Sequence, residues 1–144
     1  MKNAKPASPE LIEFIQKRIS HFNMGEIKWT ANHDELKMTK DFMCGKVIVT
    51  NPHAAMHGVD VVFVINEDIF DMLDENYQEM VIDKLVAYIS HDLEKGKTSK
   101  VAADIVEHES VMLHYGMDKL LSLRSEINRI YSNLDPDKDE ATLD

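Results

Sequence analysis

Val81-Ile82-Asp83-Lys84-Leu85-Val86-Ala87-Tyr88-Ile89 is the stretch on which the reading of this chain turns. With Tyr77 and Met80 ahead of it, apolar residues at Val81, Ile82, Leu85, Val86, Tyr88 and Ile89 cover most of a helical circumference. A surface helix keeps its apolar residues to one stripe, so this pattern predicts a central helix, covered on several sides. Asp74 stands where an N-cap is wanted, and the pattern runs to about Ile89.

Just before this helix, Val59-Asp60-Val61-Val62-Phe63-Val64-Ile65 is β-branched and nearly all apolar, which predicts a strand buried on both faces. Pro52 and Gly58 bracket a turn ahead of it, and Asn66 can cap a short helix from Glu67 to Leu73. Beyond the central helix, Lys95-Gly96-Lys97 reads as a tight turn joining two short strands. Asp104-Ile105-Val106-Glu107 has the spacing of a capping box, opening a helix to Tyr115 that Gly116 stops. Asp118 can cap a last helix, with Leu120, Leu121, Leu123, Ile127, Ile130 and Tyr131 on its apolar side. Toward the N-terminus, Ser8-Pro9-Glu10 is a strong helix start. Leu11, Ile12, Phe14, Ile15, Ile19 and Phe22 follow at helical spacing, and Gly25 ends the run. Strands are expected around Ile27–Ala31 and Lys46–Thr50. This order predicts an α+β fold, a small mixed sheet packed on a central helix with additional N- and C-terminal helices. Residues 1–132 read as a single domain and 133–144 as an acidic, disordered tail.

The chain has 144 residues, enough for one domain with a real core. No apolar run approaches the roughly 20 residues of a membrane span, and the opening residues lack a signal-peptide pattern. A single cysteine, Cys44, leaves no internal disulfide and no multi-cysteine zinc site, and fits a cytoplasmic setting. Formal net charge is −10. The stretch from Asn133 holds five of the acids and one lysine, so 15 bases still face 21 acids without it. Direct binding to nucleic acid is disfavoured, since that rests on clustered Lys and Arg. An acidic surface serves solubility, and it also suits a basic groove on a protein partner or imitation of nucleic acid.

From Gly58 to Met117 the layout resembles the phage metallopeptidase family related to SprT-like zinc proteases. That family's order is a buried strand, a polar turn with an aromatic short helix, a metal-binding helix, a small hairpin, and an Asp-x-x-Glu helix. Here the corresponding segments are Asp60–Ile65, Asp68–Leu73, Val81–Ile89, and Asp104 through Gly116. The resemblance implies a zincin-like core over about residues 58–117, with the helix from 117 to 132 added to it. It also implies that the metal-binding helix has lost its H-E-x-x-H. The first histidine becomes Lys84, the glutamate base Leu85 and the second histidine Tyr88, with Asp83 kept. Ala102 and Ala103 stand where a third ligand is expected. Two histidines one turn apart hold zinc and the glutamate activates its water, so these replacements imply no metal, no cofactor and no catalysis.

Other constellations are thinner. His53 and His57 lie four apart between a proline and a glycine. His91, Asp92, Glu107, His108 and His114 flank the former site loosely, the basis for an alternative reading as a hydrolase with a rearranged metal site. Cys44 lacks an adjacent activating group other than Lys46. The dispersed glycines form no phosphate loop. Trp29 and Phe42 suit either the core or an interface. The expectation is therefore a non-catalytic, acidic, phage-type protein that binds and modulates or inhibits a host protein machine. Host RNA polymerase is the preferred partner, without direct nucleic-acid or membrane binding; a nucleic-acid mimic is the third reading.

Overall fold

A computed structural model of the chain describes residues 5–20, 27–39, 43–49, 59–92, 97–100 and 108–134. The first helix, α1 (Pro9–Ile19), begins as its cap signals require: Ser8 Oγ accepts the Leu11 N–H at 3.2 Å, with Pro9 and Glu10 in the first turn. Leu11, Ile15 and Ile19 are buried and Phe14 is half-buried. Ile12, expected on the buried face, lies about 100° of helix away from Leu11 and is 39% exposed. The helix ends at Ser20, ahead of Gly25; Phe22 and Gly25 are outside the described residues.

Strands β1 (Lys5–Pro6), β2 (Trp29–His33), β3 (Gly45–Val49) and β4 (Val61–Ile65) form one mixed sheet in the order β1-β2-β4-β3. β2 runs parallel to β4, with Trp29 opposite Val61 and His33 opposite Ile65; the other pairs are antiparallel. Central position explains the composition of β4, in which Val61, Phe63, Val64 and Ile65 are all buried. β2 begins two residues later than expected. The Lys28 carbonyl accepts both the Asp60 and Val61 N–H groups, while the Lys28 N–H donates to the Asp60 carboxylate, so the regular ladder starts at Trp29.

Helix α2 (Glu67–Phe70) is shorter than the expected Glu67–Leu73, and Asn66 does not cap it with its side chain. The Asn66 amide is turned the other way, its Nδ2 donating to the Leu36 carbonyl at 3.0 Å and its Oδ1, the atom a cap would use, buried without a hydrogen-bond partner among the described residues. The Glu67 N–H goes instead to His33 Nδ1 at 3.0 Å. The central helix, α3 (Glu75–Val86), follows Asp74, whose side chain makes no capping bond. It stops short of Ile89 because Ile89 already opens β5 (Ile89–Asp92), antiparallel to β6 (Lys97–Lys100). The turn at Lys95 and Gly96 lies outside the described residues, as do Pro52, Gly58 and the Asp104–Glu107 box.

Helix α4 (Glu109–Tyr115) ends at Gly116, whose φ of +85° is one that a side-chain-bearing residue rarely adopts. The Gly116 carbonyl then accepts the Leu120 N–H, so α5 (Met117–Leu134) starts at once and Asp118 sits in its first turn instead of capping it. Leu120, Leu123, Ile127 and Ile130 of α5 are buried; Leu121, expected with them, faces outward. Tyr131 Oη donates to the Leu36 carbonyl at 3.1 Å, fastening α5 to its own domain. α1 packs on α3 and α3 on β3, and Met80 to Val86 are buried without a gap. The architecture is α+β with α3 inside it. No helix among the described residues is long and apolar enough to cross a membrane.

Candidate functional site

Three consecutive residues of α3 face inward: Asp83, Lys84 and Leu85 are 5%, 3% and 2% exposed. Leu85 reaches the sheet. A Cβ added to Gly45 of β3 would stand 3.3 Å from Leu85 Cδ1, 3.1 Å from the Val64 carbonyl oxygen and 3.2 Å from Ile65 Cγ1, so the approach depends on that glycine. Lys84 is not without a partner, and its charge is felt at Cys44. Tyr88, just past the helix, is half-buried and meets the His108 ring edge-on at 4.3 Å. Zinc requires lone pairs from imidazole, thiolate or carboxylate about 2 Å away, and a water with room to be activated. Protonated Lys84 offers no lone pair, Leu85 has no polar atom, and the space beside Leu85 is filled by strand. These residues do not fit the metal that the resemblance would place here.

Asp83 has a different occupation. Its two carboxylate oxygens accept Arg18 Nε and Nη2, each at 2.8 Å, in the parallel fork that suits guanidinium and carboxylate. The Tyr115 hydroxyl donates to the same carboxylate. Burial first, then the bond to Asp83, pushes the Tyr115 phenol above its ordinary range. The bond to Asp83 likewise raises the Arg18 guanidinium. One carboxylate thus ties α1, α3 and α4 together, and its role is structural.

Among the described residues, the remaining sequence candidates do not converge. Cys44 is fully buried, and burial pushes its thiol up to about 12, the wrong direction for a nucleophile. His114 is exposed and stacks edge-on against Tyr115. Trp29 is half-buried, edge-on to Phe63 at 5.7 Å, so it serves the core. His53, His57, Phe42, Ala102, Ala103, Glu107 and the side chains of His91 and Asp92 lie outside the described residues.

A feature the sequence did not single out lies where α1 passes α2 and the start of α3. A cleft of about 590 Å³ is lined by Glu10, Glu67, Asp68 and Asp71, by Phe14 and Phe70, and by no described lysine or arginine. Phe14 and Phe70 meet edge-on at 5.6 Å and wall it. Glu67 is held at the rim: its carboxylate accepts the Ser8 hydroxyl at 2.6 Å and the Ser8 N–H at 3.2 Å. Partial burial, then the charges of Glu67, Asp68 and Glu10, raise the Asp71 carboxyl above its ordinary value. Glu10 and Phe14 also line a second cavity of about 360 Å³, which adds Glu13, Glu75 and Glu79. There the two cations are already engaged, Lys17 with Glu13 at 3.8 Å and Arg18 with Glu79 at 3.3 Å. The two cavities adjoin at Glu10 and Phe14, giving α1 an acidic, grooved flank. In sequence Glu10, Glu67, Asp68 and Glu75 look like ordinary first-turn residues of three helices, and only the fold brings them together with Glu13, Asp71 and Glu79.

His33, Glu35 and Asp68 place potential ligand atoms within 4.8 Å of one another near this groove. His33 Nδ1, however, accepts the Glu67 N–H, so a neutral imidazole carries its proton on Nε2 and has no lone pair left for a metal. His33 can present an N–H there, not a ligand. No family model matches the chain, and no curated protein or solved structure matches it.

Proposed function

We propose that this chain is a non-catalytic binding protein with a metallopeptidase-like core, and that the acidic groove along α1 receives a basic surface of a protein partner whose activity it modulates. The observation that carries the reading is the groove itself: carboxylates of α1, α2 and α3 converge there, and the two cations near it are paired. Asp71 is raised by partial burial and then by its acidic neighbours, and such carboxylates gain from an incoming cation, because lysine or arginine relieves their mutual repulsion. The filled face of α3 supports the absence of zinc hydrolysis, since Leu85 lies against strand where a water-activating group would be needed.

The reading is tested by capture from host lysate on the purified chain, followed by direct titration of the captured protein, with host RNA polymerase the first partner to try. A stoichiometric complex that weakens as salt rises is expected. Glu10→Gln, Asp68→Asn and Asp71→Asn together should weaken it about tenfold, taking roughly 0.5 kcal/mol for each exposed charge. Absence of any stoichiometric partner at low salt, or stoichiometric zinc with peptide hydrolysis by the purified protein, would overturn the proposal.

A further inference from the structure

We draw no further inference here: the strongest candidate, the His33–Glu35–Asp68 cluster beside the acidic groove, offers a cation no imidazole lone pair because His33 Nδ1 already accepts the Glu67 N–H, and the carboxylates left to it are an acidic cluster with no second observation that points to a ligand.

Discussion

Restoring the glutamate that the resemblance calls for, by Leu85→Glu, should cost the fold much of its stability and leave the carboxyl unable to activate a water. Leu85 is 2% exposed and its Cδ1 presses on β3 at Gly45. Giving up that apolar contact costs about 2 kcal/mol. A carboxyl buried there stays protonated at about pH 7, since full burial can carry a glutamate pKa to roughly 8–9 from its unfolded value of about 4.3. Holding the proton costs about 1.4 kcal/mol per pH unit above that unfolded value, or about 3.7 kcal/mol near neutrality. The sum, roughly 6 kcal/mol, rivals the whole stability of an ordinary domain, about 5–15 kcal/mol.

The sign is what makes this reasoning testable. A carboxyl whose folded pKa is raised leaves the folded state binding more protons, so stability falls as pH rises from the unfolded to the folded value. Urea denaturation of Leu85→Glu, followed by circular dichroism, should therefore show a penalty that shrinks by about 4 kcal/mol between roughly pH 7 and pH 4. A penalty independent of pH would mean the glutamate escapes to solvent. The still sharper refutation is a Lys84→His, Leu85→Glu, Tyr88→His variant that folds normally and takes up one equivalent of zinc.

Asp83→Asn should cost about 3 kcal/mol in urea denaturation, because it strips the charge from a buried pair and leaves Arg18 without its fork partner. Pairing it with Arg18→Leu should return part of that loss, and a loss that simply adds would argue against the pair. Gly45→Ala should cost about 1–3 kcal/mol through its approach to the Val64 carbonyl. With Leu85→Ala the two effects should be less than additive, because one of the three contacts has gone. Asp71→Asn should raise Tm near neutral pH, since the raised carboxyl costs stability once ionised. The gain should vanish as acid protonates Asp71 itself, and a lowered Tm near neutrality would contradict a carboxyl raised by partial burial and then by its acidic neighbours.

Local signals in the sequence were sufficient wherever one segment decides its own structure. Ser8-Pro9-Glu10 fixes the start of α1, the unbroken run at Val61–Ile65 marks the central strand, and the all-round apolar pattern places α3 inside. Caps were less legible because a capping side chain can be drawn elsewhere. Asn66 turns its amide to Leu36, and α2 receives His33 from another strand in exchange. The groove and the Asp83 network were not legible at all. Arg18 and Asp83 are 65 residues apart and Ser8 and Glu67 are 59 apart, distances over which periodicity and spacing carry no information. Asp83 read as a remnant of a metal motif, whereas its partners give it a reason to be there without metal.

Those partners also bear on how a groove could bind without loosening the core beneath it. The sheet crosses the boundary that the resemblance implies near residue 58, since β2 and β3 lie before it and flank β4 after it. α1 and its N-cap, likewise ahead of residue 58, supply Arg18 to Asp83 and Ser8 to Glu67. Arg18 divides its donors between two environments. Nε and Nη2 serve Asp83 at 2.8 Å, where the carboxylate side chain is only 6% exposed, while Nη1 stands 3.3 Å from Glu79, whose side chain is 33% exposed. The second contact is longer, wetter and so the weaker of the two. An incoming lysine or arginine can compete for Glu79 while the buried fork on Asp83 stays closed. Charge at the groove is therefore separable from charge in the core: neutralising Glu10, Asp68 and Asp71 should change binding, and neutralising Asp83 should change folding.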